Sequence, residues 1–176
     1  MIEQFFTLLV LIVLSWAVGA AEDENSYRLN TGDTVAIVVF GEDDLQLQAT
    51  LGQKGTFNYP YLGTVKASGM TVDELSDHIA NGLRGDYLLN PSVHVSVEAY
   101  RSFFIHGQVS DPGAYAYRPN LTIERAVTLA SGFTERASRS NIIIKRLREG
   151  RQIEIDAELN TKVKPGDAVY VKQSLF

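Results

Sequence analysis

The chain uses one piece of turn-and-strand grammar twice, and that repetition narrows its possible folds more than any other feature. Residues 27–45 read YRLNTGDTVAIVVFGEDDL and residues 164–172 read KPGDAVYVK. In each, a Gly-Asp pair launches a Val-rich run. Gly32 can enter φ > 0 without steric cost, and the Asp33 side chain can bond its own backbone. Val35, Ile37 and Val39 then alternate with Ala36 and Val38, a β-branched run that calls for burial on one face or both. Phe40 closes the strand and Gly41 breaks it. Gly-Asp before a strand is common punctuation in β-rich chains, so the company these turns keep decides what they mean.

Between the two turns the pattern reads as two small mixed units, an α+β fold class. Leu45, Leu47, Ala49 and Leu51 alternate with polar residues as a half-buried strand should. Pro60 marks an edge or bulge, and Gly63 and Gly69 delimit a short strand over 64–67. Thr71 and Glu74 form a capping box ahead of a helix to Leu83, with Val72, Leu75, Ile79 and Leu83 on one face. Val93, Val95 and Val97 then line one face of a strand that ends the first unit near Tyr100. In the second unit, residues 102–109 read as a strand and Pro112-Gly113 as the middle of a type II turn. Thr122 caps a short helix to Ala130, residues 133–141 form a polar, basic loop, and IIIKRL and RQIEIDAEL pair as a hairpin. Strand, turn, strand, helix and further strands make a β-grasp pattern.

The N-terminus stands apart. Residues 5–18 are an apolar block followed by Gly19, Ala20 and Ala21, which reads as a signal peptide over residues 1–21 and hence as export from the cytoplasm. The n-region carries Glu3 and no Lys or Arg, so an uncleaved anchor is the alternative. Expected domains are residues 22–100 and 101–176.

The formal net charge of −5 opposes a phosphate-neutralising face, so nucleic acid is not expected as a partner. The absence of cysteine excludes disulfides, thiolate metal sites, a cysteine nucleophile and a lipidated cysteine. His78, His94 and His106 lack metal-ligand spacing, and no phosphate loop, dinucleotide fingerprint or nucleophile elbow is present. No enzyme, cofactor or metal site is therefore expected. The charge is segregated, however. Residues 22–44 are acidic, whereas Arg136, Arg139, Lys145, Arg146, Arg148 and Arg151 cluster against the single Glu149. These six are the candidate contacts with a polymer or a neighbouring subunit.

Taken together, YRLNTGDTVAIVVFGEDDL, GTFNYPYLGTVKASGMTVDEL and LLNPSVHVSVEAYRS resemble the export domain of the Wza-like outer-membrane polysaccharide export proteins. FFIHGQVSDPGAYAYRPNLTIERAVTLASGF, NIIIKR and the closing KPGDAVYV resemble their SLBB β-grasp domain. The resemblance spans Tyr27 to Val171 in order. It implies a homo-oligomeric, octamer-like ring that passes capsular or extracellular polysaccharide passively, together with an inner-membrane polysaccharide co-polymerase. It also implies a periplasmic location associated with the outer membrane. Two departures bear on this. The lipidated cysteine of longer members is missing, and the sequence stops at Phe176 where they continue into a membrane-crossing helix. The expectation is a short form that docks onto a separate outer-membrane β-barrel through the Leu175-Phe176 end. The competing expectation is a monomeric periplasmic carbohydrate-binding module that uses the basic loop and exposed tyrosines.

Overall fold

A computed structural model describes residues 27–148 and 150–174. The expected signal peptide, the polar leader 22–26 and the Leu175-Phe176 end lie outside the described residues.

Alternation of apolar side chains builds the first unit. In β1 (Thr34–Val39), Val35, Ile37 and Val39 are buried while their neighbours are half-exposed. β1 pairs antiparallel with β2 (Leu47–Thr50) on one side and β5 (Val93–Ala99) on the other. A separate hairpin joins β3 (Thr56–Tyr59) to β4 (Gly63–Lys66), with Pro60 in its connection. Helix α1 (Val72–Leu83) starts at Thr71, whose hydroxyl accepts from the Glu74 N–H while the Glu74 carboxylate accepts from the Thr71 N–H. The spacing then turns Leu75, Ile79 and Leu83 into a shared core with Leu29, Val35, Ile37, Leu51 and Val95. Each such side chain contributes about 1.5–3 kcal/mol on burial.

The second unit is a five-stranded mixed sheet in the order β7-β6-β10-β8-β9. Its strands are β6 (Phe103–Gly107), β7 (Gly113–Tyr115), β8 (Ala137–Arg148), β9 (Arg151–Ala157) and β10 (Ala168–Gln173). β10 runs parallel to β6 and antiparallel to β8. Helix α2 (Ile123–Leu129), capped by Thr122, packs Ile123, Ala126 and Val127 against Phe103, Ile105, Ile142, Ile144, Val169 and Val171. One helix on a mixed sheet is the β-grasp arrangement, and the whole chain is α+β.

Two local expectations are corrected. The polar stretch 133–141 is not all loop, because β8 begins at Ala137. A bulge lets Gln173 of β10 pair with Ala137, and sheet pairing thereby overrides the polar composition of the segment. Nor does Pro112-Gly113 occupy the middle of a type II turn. Gly113 opens β7 and lacks the required positive φ. The left-handed glycine here is Gly107 at φ +91, where a Cβ would overlap the Val171 carbonyl oxygen.

Candidate functional site

The repeated Gly-Asp grammar resolves into two copies of one device. Asp33 is fully buried, and its carboxylate accepts from the Asn30 N–H at 2.8 Å, three residues back. Asp167, 1% exposed, accepts from the Lys164 N–H at 2.7 Å, again three residues back. Glycine precedes each aspartate at positive φ, +88 at Gly32 and +83 at Gly166. Each buried carboxylate also holds an arginine. Arg146 grips Asp167 through two nitrogens, at 2.8 and 2.7 Å, the paired geometry in which such bonds are strongest.

Arg101 does the corresponding work for Asp33, from the segment between the two units. Its backbone N–H donates to Asp33 Oδ1 at 2.8 Å and its guanidinium reaches Oδ2 at 3.2 Å and the Tyr27 hydroxyl at 2.7 Å. The Tyr27 hydroxyl in turn donates to Asp33 at 2.6 Å. Burial first, and then this bond to Asp33, push the tyrosine pKa far above its ordinary range, so the hydroxyl remains a donor. The same Arg101 side chain lies against Gly166, where a Cβ would come within 2.7 Å of Nε. An edge-on aromatic chain, Tyr27 to Tyr100 at 5.0 Å and Tyr100 to Tyr117 at 5.4 Å, crosses from the first unit to the second. Arg101 thus touches both Gly-Asp turns and rivets the units together.

The six candidate basic residues separate into distinct settings. Arg146 commits its guanidinium to Asp167, so it serves the fold. Lys145 lies 3.3 Å from Glu154 across the β8–β9 ladder, both groups exposed to solvent. Arg139 stacks over the Phe133 ring at 5.7 Å, and Arg136 is exposed just ahead of β8. Arg148 and Arg151 face each other in register at the hairpin tip, both exposed. Like charges directly opposite each other oppose pairing, so the tip is built at some cost to stability.

A surface outside this cluster is equally notable. Tyr61 and Tyr87 stack at 4.8 Å with planes 29° apart while 65% and 47% exposed. Tyr61 sits at φ +63, a left-handed conformation that costs a non-glycine residue on the order of 1–2 kcal/mol. Flat aromatic faces in water suit the apolar face of a sugar ring, with the Tyr61 phenol left to bond its hydroxyls while the Tyr87 hydroxyl donates to the Tyr61 carbonyl oxygen at 3.5 Å. Sequence reasoning did not single this pair out. Its members are 26 residues apart, and only the YPYLG turn hinted at an exposed ring.

Among the described residues, no group of three His, Asp or Glu side chains could hold a metal ion. No helix of the described residues is long and apolar enough to cross a membrane.

Comparison with known proteins follows the same division of the chain. Residues 21–98 match the family described as polysaccharide biosynthesis/export protein, and residues 102–156 match the SLBB domain. Exopolysaccharide production protein ExoF of Rhizobium meliloti is 36% identical over 85 residues, 47% of this chain and 20% of that protein. EPS I polysaccharide export outer membrane protein EpsA of Ralstonia nicotianae is 26% identical, covering 84% of this chain and 47% of its own length. Polysialic acid transport protein KpsD of Escherichia coli is 25% identical, covering 68% and 22% respectively. The chain therefore spans less than half the length of each of these relatives.

Proposed function

Since the chain belongs to the polysaccharide export proteins that join an export domain to an SLBB domain, we propose that it is a subunit of an export conduit. On this reading, copies assemble into a ring in the periplasm, associated with the outer membrane, and capsular or extracellular polysaccharide passes through passively. An inner-membrane co-polymerase delivers the polymer. The chain performs no chemistry on the polymer. The domains divide as residues 22–100 and 101–176, after a signal peptide over residues 1–21.

The observation that carries this reading is the joining of the two matched domains through Arg101, because a conduit wall needs subunits of fixed shape. The exposed Tyr61–Tyr87 stack and the basic residues Arg136 and Arg139 are the polymer contacts. They are shallow, and a moving chain needs contacts it can leave. The same aromatic stack also favours the second reading, a monomeric carbohydrate-binding module.

Deleting the gene and measuring surface and secreted polysaccharide tests the export role. Loss of surface material, restored by the intact gene and poorly restored by a Tyr61→Ala, Tyr87→Ala variant, is the expected result. Unchanged surface polysaccharide, with no second exporter present, overturns the conduit. A strictly monomeric mass by light scattering then leaves the binding module as the reading.

A further inference from the structure

Two of the chain's exposed apolar side chains sit among opposite charges. Phe40, 67% exposed, follows directly on β1 and leads through Gly41 into Glu42, Asp43 and Asp44, all exposed. Residues 43–45 form a short 3-10 turn, and Asp43 accepts from the Gln46 amide at 2.8 Å, which fixes the start of the acidic run. Leu147, 68% exposed, stands at the end of β8 with Lys145 on its own strand face and the Arg148–Arg151 pair beside it at the hairpin tip. Each patch is thus a protruding apolar residue beside a concentration of one charge, carboxylates at the loop and the Arg148–Arg151 pair at the tip, where Lys145 is already paired with Glu154.

We propose that the Phe40 loop of one copy seats on the Leu147 hairpin tip of the next, a second copy of this chain being the partner. This deepens the oligomeric reading above, on which it rests, by naming the contact. Like charges crowd each patch. At the tip, Arg148 and Arg151 repel across the ladder, and at the loop three carboxylates follow in succession. Bringing the loop to the tip relieves both repulsions and removes two large apolar side chains from water. An apolar centre with a charged, complementary rim is the usual anatomy of a specific interface.

Geometry places the contact between copies. β1 leads away from Asp33, so Phe40 stands about 20 Å from the Arg101 rivet at strand rise. Ala168 begins β10 beside Asp167 and pairs with Lys145, which puts the hairpin tip at the end of its sheet nearest that rivet. The two patches therefore occupy different levels of one molecule. Because they are unlike, the contact is heterologous and propagates head to tail, closing into a ring where the rotation allows.

The absence of native cysteine makes the test direct. Phe40→Cys is introduced in one tagged full-length chain and Leu147→Cys in another, and the mixture is mildly oxidised. The expected result is a mixed disulfide formed at least tenfold more than with an exposed control, Asp111→Cys, in place of Leu147→Cys. In parallel, Arg148→Glu with Arg151→Glu should weaken self-association about tenfold by light scattering. Adding Asp43→Lys and Asp44→Lys to that variant should restore most of it. Assembly of the native chain with no excess 40–147 cross-link and no effect of the reversals overturns this contact and leaves the conduit standing. A native chain that stays monomeric at every salt concentration overturns both.

Discussion

Replacing Asp33 by alanine should be among the most damaging single substitutions, and the structure supplies its magnitude. The carboxylate is fully buried and accepts from the Asn30 and Arg101 N–H groups and the Tyr27 hydroxyl at 2.6–2.8 Å, and from the Arg101 guanidinium at 3.2 Å. Each lost neutral donor costs about 1 kcal/mol. The Arg101 side chain is 27% exposed, so water takes up part of its unpaired charge and its share is discounted. Asp33→Ala should therefore lose about 3–4 kcal/mol. With a urea slope of about 2 kcal/mol per M, the midpoint moves down by about 1.5–2 M. Arg101→Ala leaves Asp33 its three other donors and should lose only about 1–2 kcal/mol. Urea titrations followed by circular dichroism, with both variants side by side, read the difference. If Arg101→Ala proves the more destabilising, or Asp33→Ala shifts the midpoint by less than about 0.5 M, the backbone donors do not carry the energy assigned to them.

Three further outcomes follow from particular sites. Gly107→Ala places a methyl against the Val171 carbonyl oxygen at a left-handed φ, and it should destabilise by about 3 kcal/mol or more in thermal melts. Thr71→Ala removes the cap of α1 and should cost about 1 kcal/mol, read from the same urea midpoint. Glu74, held below the usual carboxylate range first by its bond from the Thr71 N–H and then by Arg28, stabilises the fold above the ordinary glutamate pKa. That contribution disappears as pH falls through its lowered value, so Glu74→Gln should be less stable than the native chain at neutral pH and indistinguishable from it in strong acid.

The elements visible in the sequence were those specified locally. Alternating valines gave β1 and β5, and the Thr71–Glu74 box with its apolar stripe gave α1, because each is decided within a few residues. The site was less legible because its partners lie far apart in sequence. Asp33 looked like a member of an acidic surface run and Arg146 like a member of a basic one, yet Asp33 is a buried carboxylate paired with Arg101, and Arg146 is paired with the buried Asp167. Arg101, 68 residues from Asp33, carried no local sign of its role. The repeat of Gly-Asp was the one available clue: a turn aspartate that bonds three residues back is drawn inward and needs a cation. The strand over residues 137–141 was missed because its polar side chains lack apolar alternation, and the pairing partner Gln173 is distant.

The single arginine between the two units has a mechanical consequence. Its main chain is the joint and its side chain is the bolt, so the joint cannot bend without first breaking bonds to Asp33 and Tyr27. While those bonds hold, an assembly built from such subunits would change its bore by pivoting each subunit whole, like the staves of a cask.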